Sequence, residues 1–549
     1  MLRVIDSNKF LFRRLFDIRN PSRRWTGKNQ PTDVDVRPLH NISQRLLLIR
    51  CDVGQVMSID MLPDDVLLDI FGFYVDEAPR IEAWQSLVHV CRRWRSIAFR
   101  SPRRLNLRLV CSNETPARDT LDVRPALPLF IQCYETVESM DKYNIVAVLE
   151  RNDRVCDITL VDLKRWEWEK ISAAMQVPFP ELTHLQLWSY DETMSVLPDP
   201  FLGRYVPRLE FLWLARIPFP GLPNLLLSAT YLVSLRLQLI PHSGYFSPEG
   251  IVTALSTLTR LTTLSLHFES PQSRPDPARQ RPHPLTRSVL PALAHFWFKG
   301  VSEYLEVVVA RISAPRLSKL DITFFNAILF DTPQFTQFIC RTPMSKGPQR
   351  ARVTFEDDAA VFSLSSQTSG KYGALEVTIP CRELDWQVSS MEQICTSCLP
   401  PLLTLEHLYI YENPHWREHW QDNIENALWL ELLHPFTSVK NLYISSDIAR
   451  RIVPALQELV RGRLGRATEV LPALQYIFLE ERQVSGPVEE GIQLAVAVRQ
   501  AIGHYSSFIR TEGSVRLRPP PSVVLTFCVI YLPPSIFLCP RSFAIFSFI

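Results

Sequence analysis

LVSLRL (232–237) carries leucine at its first, fourth and sixth positions. Five further windows share the form Leu-x-x-Leu-x-(Leu/Ile): LTHLQL from 182, LEFLWL from 209, LTTLSL from 261, LSKLDI from 317 and LEHLYI from 405. Looser copies are VCDITL from 155, LAHFWF from 293, VKNLYI from 439 and LQYIFL from 474. Chance in a leucine-rich chain gives about one or two such windows. Alternate apolar residues are the period of a strand with one face turned to a core. In five of the ten windows a proline stands two residues before the first apolar position: Pro180, Pro207, Pro291, Pro315 and Pro472. Proline there stops a preceding helix and starts an extended segment. The pattern predicts one strand per repeat, parallel pairing of neighbouring strands, and helices or loops over the back. An ordinary α/β domain with leucine-rich strands is the competing reading.

The repeat resembles a leucine-rich repeat, imperfectly. Successive windows lie 23 to 35 residues apart, with a gap of 88 between Leu317 and Leu405. The position that carries Asn or Cys in that family does so only at Asn413, and without an asparagine ladder an irregular solenoid is expected. The gap contains RARVTFED (350–357) and ALEVTI (374–379), which read as degenerate strands.

Upstream lies a short helical block. In LPDDVLLDIFGFYV, from Leu62, Pro63 suits a first helical turn, and Asp64 and Asp65 suit the positive end of the helix dipole. Val66, Leu67, Ile70, Phe71 and Tyr74 recur at helical spacing as one apolar stripe. A second pattern runs from Ala83 through Leu87, Val90, Cys91, Trp94, Ile97 and Ala98, and Pro102 closes it. Two or three helices this small carry more apolar surface than they can bury internally, and the surplus predicts a docked partner.

Leu62-Pro63, the acidic pair, Val66-Leu67-x-x-Ile70-Phe71 and Val90-Cys91-Arg92-Arg93-Trp94-x-x-Ile97-Ala98 together resemble an F-box. The resemblance implies binding to the Skp adaptor, and through it a cullin, in a ubiquitin ligase. The positions it carries over for that contact are Leu62, Pro63, Val66, Ile70, Val90, Cys91 and Trp94. The family's tryptophan after the last helix is missing, replaced by Pro102-Arg103-Arg104-Leu105. An F-box followed by irregular leucine-rich repeats is an architecture of the fungal F-box family. It implies an α/β fold class: a small three-helix F-box, then a leucine-rich-repeat-like solenoid of parallel strands and helices. The expected divisions are a basic, disordered arm (1–57), the F-box (58–105), a connector (106–139), the repeat domain (140–510), and an apolar, Pro-containing tail outside the fold (511–549).

The chain has 549 residues, 59 basic and 57 acidic, so no global field draws it to nucleic acid. Neither GxGxxG nor GxxxxGK[ST] occurs, which disfavours a nucleotide-dependent enzyme. The 11 cysteines are scattered and read as reduced thiols. No secretory signal opens the chain, although its basic, mildly amphipathic start leaves a mitochondrial presequence open. A cytoplasmic or nuclear protein is expected. From Val523 the chain turns apolar, but Pro533 and Pro534 interrupt that run short of the roughly 20 residues a spanning helix needs.

Arg92, Arg93 and Arg95 around Trp94 read first as a solvated basic face, with a partner-facing role second and nucleic-acid reading third. Cys395-x-x-Cys398 with His415-x-x-x-His419 has zinc-ligand chemistry, yet it brackets a repeat strand. His415-x-x-Glu418-His419 spells an inverted zinc-protease motif in isolation. No metal, cofactor or catalytic residue is therefore assigned. The favoured reading is a non-catalytic ligase adaptor whose repeats select a target protein. A repeat scaffold outside any ligase, a nucleic-acid binder and a zinc hydrolase are the alternatives.

Overall fold

The computed structural model describes residues 49–50, 56–57 and most of 61–511. Residues 1–48 and 512–549, and internal stretches including 112–120, 276–286, 366–373, 413–423 and 462–469, lie outside the described residues. Most of the expected arm, all but the start of the expected tail, Asn413, His415 and His419 fall in those stretches. Among the described residues no helix is long and apolar enough to cross a membrane. The chain divides into two compact units, one ending at Leu109 and the next starting at Val110.

The first unit has a short antiparallel pair, β1 (Ile49–Arg50) and β2 (Val56–Met57), followed by α1 (Asp64–Glu77), α2 (Trp84–Val88) and α3 (Arg92–Arg100). Pro63 stands just before α1, where its carbonyl accepts from Leu67 N–H at 3.0 Å. Asp64 and Asp65 occupy the first turn, as the dipole favours. Cys91 caps α3: its Sγ accepts from Trp94 N–H at 3.4 Å.

The second unit is built on one large sheet. Its strands in chain order begin with β3 (Leu109–Cys111), β4 (Leu129–Cys133), β5 (Val155–Val161), β6 (His184–Trp188), β7 (Phe211–Ala215), β8 (Ser234–Ile240) and β9 (Thr263–Phe268). A separate short pair is β10 (Ser288–Val289) and β12 (Ile312–Ser313). The sheet continues with β11 (His295–Gly300), β13 (Lys319–Phe324), β14 (Arg350–Phe355), β15 (Ala359–Ser365) and β16 (Leu375–Pro380). It ends with β17 (His407–Glu412), β18 (Asn441–Ser445), β19 (Tyr476–Glu480) and β20 (Ser507–Thr511). All ten leucine windows are strands of this sheet. It also takes in β3 and β4, from the stretch expected to be a connector, and the boundary between the units falls inside β3.

A repeated turn sets the strands up. In nine windows the N–H of the first apolar residue donates to the carbonyl three residues back, for example Leu232 to Ala229 at 3.0 Å and Leu261 to Leu258 at 3.2 Å. The residue whose carbonyl accepts is itself buried, as at Phe179, Val206, Leu258 and Phe436. The five prolines thus occupy the second position of a β-turn, where a fixed φ is an advantage. They shape the turn as well as ending what precedes it. The residue after each turn then links neighbouring repeats through the backbone: Val233 N–H to Glu210 O, Thr262 to Val233 O and Ala294 to Thr262 O, at 2.8 to 2.9 Å. This main-chain ladder joins the repeats without an asparagine.

Parallel pairing holds from β4 to β9 and on through β11 and β13, then breaks. The order there is β13-β16-β15-β14-β17, and β15 is antiparallel to both neighbours. Only three residues join β14 to β15, and Glu356 N–H closes on Ala359 O at 2.8 Å. So short a connection can return a strand only antiparallel. The parallel pairing expected of neighbouring strands is interrupted here by one antiparallel strand, while RARVTFED and ALEVTI are strands as expected.

One face of the sheet holds the leucines and is covered by helices. Tyr304 of α8 (Ser302–Arg311) packs on Phe268 at 4.7 Å between centroids, Phe335 of α9 (Pro333–Arg341) on Phe324 at 6.2 Å, and Trp429 of α11 (Asn426–Leu433) on Phe355 at 5.7 Å. The remaining helices are α4 (Lys142–Leu149), α5 (Arg165–Ala174), α6 (Leu222–Leu226), α7 (Pro248–Leu255), α10 (Leu384–Gln393), α12 (Ser446–Arg461) and α13 (Gly486–Ala501). The other face alternates out of the core, as in the buried–intermediate pattern of β11 and β13.

This two-sidedness is testable on one strand. Leu264→Ala on β9, at a fully buried position, is expected to cost about 2–5 kcal/mol, and the adjacent Thr263→Ala less than about 1 kcal/mol, read from denaturant midpoints. Equal costs would contradict the two-faced strand.

Candidate functional site

Each unit offers one candidate surface. In the first unit, α1 carries two apolar stripes rather than one. Leu67 and Phe71 are fully buried, and Phe71 packs on Trp94 with 4.7 Å between centroids. Val66, Ile70 and Phe73 form the second stripe at i, i+4 and i+7, with Pro63 a turn before. Val66 is 36% and Phe73 39% exposed. Pro63 is exposed, and Leu62 and Ile70 are half-buried. Val90, in the turn before α3, is 47% exposed. Cys91 is half-buried and occupied as the α3 cap.

Trp94 is the exception among the seven expected contact residues. It is only 5% exposed, because Phe71 on α1 takes one side of its ring. It fills the core of the unit and leaves the outer stripe to smaller side chains. Phe73 is the residue the sequence reading missed. Its signal was the seven-residue step from Val66, obscured by the intervening Leu67 and Phe71.

The arginines around Trp94 tie the helices together. Arg93 Nη2 donates to Asp64 Oδ1 at 2.7 Å and to Leu62 O at 2.6 Å, holding the start of α1 against α3. Arg95 Nε donates to Val88 O at 2.9 Å, at the end of α2. Arg104 pairs with Asp69 at 2.6 Å. Exposed pairs of this kind contribute about 1 kcal/mol or less each, so they orient helices more than they stabilise them. The expectation of a purely solvated basic face fits Arg92, which is exposed, but not Arg93 or Arg95.

In the second unit the open face of the sheet is the candidate surface. Strand register sets outward residues side by side. On one half, Trp213, Arg236, Ser265, Trp297 and Asp321 follow one another from β7 to β13. Glu376, Ser363, Arg352, Tyr409, Tyr443 and Phe478 continue the row from β16 to β19. Tyr409 and Tyr443 stack at 4.3 Å with planes 10° apart, and Tyr443 and Phe478 at 4.5 Å and 8°. The Arg352 guanidinium lies 6.0 Å from the Tyr409 ring and 5.5 Å from that of Tyr411. Lys319 Nζ lies 5.9 Å from the Trp297 ring. None of these outward residues was singled out from the sequence. Trp213, Arg236, Ser265, Trp297, Asp321, Tyr409, Tyr443 and Phe478 occupy the fifth position of their leucine windows, whereas Arg352, Ser363 and Glu376 lie on β14, β15 and β16, which carry no such window.

Packing on this face shifts its titrations. Burial, with Glu376 opposite, pushes Asp321 up to about 7. Burial also raises Glu376, against the opposing pull of Lys319 and Arg352. Burial and then Lys299 hold His267 down to about 4. Burial, then Arg350, lowers His407.

The possible metal ligands do not assemble among the described residues. Cys395 is buried in the π-helical turn after α10, and both histidines of the pattern lie outside the described residues. Among the described residues no group of three or more His, Cys, Asp or Glu is placed to hold a metal.

Residues 59–112 match the family model for F-box-like domains. Among solved structures, the leucine-rich repeat-containing protein LegL7 from Legionella pneumophila aligns with 71% of this chain and 97% of its own, at 11% identity and a TM-score of 0.26. No curated protein matches the chain. The chain thus joins an F-box-like domain to a mixed α/β unit whose repeats are defined by the turn and ladder described above.

The Asp321–Glu376 pair makes a pH-dependent prediction. The folded Asp321 holds its proton to about 7, whereas in an unfolded chain it loses it near about 4. Between those values the folded state binds more protons, so the pair's contribution makes stability fall as pH rises. Asp321→Asn is expected to stabilise the protein relative to wild type by an amount that grows from pH about 4 to about 7 and levels off above. Denaturant midpoints across that range measure it, and a pH-independent difference would refute the assignment.

Proposed function

We propose that the protein is the target-selecting, non-catalytic adaptor of a Skp–cullin–F-box ubiquitin ligase. The F-box-like unit docks on the Skp adaptor, which links it to the cullin. The repeat unit binds the protein to be modified, in the cytoplasm or the nucleus. The observation that carries this reading is the outer stripe of α1. Apolar side chains that a small helical unit leaves in water are stabilised when a partner covers them. Pro63, Val66, Ile70 and Phe73, preceded by Leu62, supply such a stripe within the residues that match the F-box-like family, and Val90 is a further exposed apolar side chain, in the turn before α3. Cys91 acts by fixing the turn that presents Val90.

Trp94 belongs to the same unit but acts differently. Trp94→Ala removes a core side chain, so it is expected to unfold α1–α3 and lose the adaptor through misfolding. The surface variants separate the two effects. Leu62→Ala with Pro63→Ala, or Val66→Asp, removes contact without opening the core. Anchors of this kind each carry about 2 kcal/mol or more when fully covered. We expect both surface variants to lose co-purified Skp adaptor and cullin while keeping the wild-type unfolding transition of the repeat unit. Adaptor binding that survives them would rule out this docking surface. A wild-type chain that never captures the adaptor from its native cell would favour a repeat scaffold outside any ligase.

A further inference from the structure

The inference rests on the target-binding role of the repeat unit and names the chemistry it selects. Arg350 and Arg352 occupy alternate outward positions on β14. Across from them on β15 stand Ser365 and Ser363, whose short side chains leave room above the strand. Among the described residues neither arginine side chain makes an ion pair or a hydrogen bond. Arg350 Nε is shielded from solvent and has no acceptor. A shielded guanidinium N–H without an acceptor is costly, and an oxyanion is the ligand that satisfies it best. The Arg352 guanidinium lies 6.0 Å from the Tyr409 ring centroid and 5.5 Å from that of Tyr411. A guanidinium drawn to aromatic rings still has N–H donors to offer an oxyanion. Glu376 stands two strands away, about 10 Å across the sheet, and makes no ion pair with Arg352.

We propose that Arg350 and Arg352 form an anion-binding centre on the open sheet face that takes a carboxylate- or phosphate-bearing side chain of a target protein, with the Tyr409–Tyr443–Phe478 ladder packing against the neighbouring apolar residue of that segment. Single-stranded nucleic acid also offers phosphates, but its bases need free aromatic faces. Here each ring covers the next at 4.3 and 4.5 Å, so the ladder presents ring edges. Asp321 and Glu376 border the patch on one side.

The test uses the full chain and a displayed library of random peptides, untreated in one arm and kinase-treated in the other. Enriched peptides are expected to carry Asp, Glu or a phosphorylated residue beside an apolar one, and the two arms separate carboxylate from phosphate. Arg350→Gln with Arg352→Gln is expected to weaken the selected peptides by at least about tenfold. Arg352→Lys, which keeps charge but loses the fork, should fall between. Lys299→Gln, on the same face but away from β14, should bind as wild type. Thermal unfolding and Skp-adaptor capture are measured on every variant. Neutral or basic selected peptides, no saturable enrichment, an unchanged affinity in the double variant, or arginine-dependent binding of a single-stranded oligonucleotide would each overturn the proposal. Adaptor capture by the same preparations keeps the outcomes apart: its loss in wild type counts against the ligase reading, and its retention beside a failed selection counts only against the anion centre.

Discussion

In nine of the ten windows the N–H of the first apolar residue closes on the carbonyl three residues back, and that turn decides where the side chains that follow point. A strand has a period of two, so a slip of one residue would carry its leucines to the opposite face. The turn prevents the slip. It is reinforced by the buried residue at its start and, in five repeats, by proline in its second position. With the inner face filled by leucine and by helix aromatics, the outer face is released from core packing. The stacked tyrosines, the unpaired arginines of β14 and the opposed carboxylates of β13 and β16 can exist there because none of them has to fit a core.

The same division of labour operates at smaller scale in the helical unit. Leu67 and Phe71 are buried, Phe71 against Trp94, while Val66 and Phe73 on the other stripe of α1 stay exposed. Arg93 reaches from α3 to Asp64 and to the Leu62 carbonyl, fixing the angle at which Pro63 and Val66 are presented. The cluster of arginines around one tryptophan is thus a brace. The cations of Arg93 and Arg95 go to a carboxylate and backbone carbonyls of the same unit, and the ring they flank is buried.

Much of this was legible in the residues, and the limits have physical causes. The leucine windows gave all ten of their strands, because period-two alternation beside a turn residue has few other solutions. The helical block was legible from its capping residues and its apolar spacing. β3 and β4 were left in the connector because neither carries the leucine window that marks the other strands. The reversal at β15 was missed because alternation does not report strand direction, which is set by the three residues that join it to β14. Trp94 was placed at the surface as well as in the core because helical spacing alone does not say which of two adjacent stripes faces inward. The outward row was invisible for a different reason: Arg352, Tyr409, Tyr443 and Phe478 are far apart in the chain and meet only through the strand register.

The central claim is that α1 offers an apolar stripe completed by a second polypeptide. Hydrogen–deuterium exchange of the full chain, with and without purified Skp adaptor, tests it most directly. Burial of the stripe predicts slowed exchange confined to residues 61–77 and to the turn that holds Val90, with the sheet unchanged. Exchange in those segments that is the same with and without saturating adaptor would contradict it.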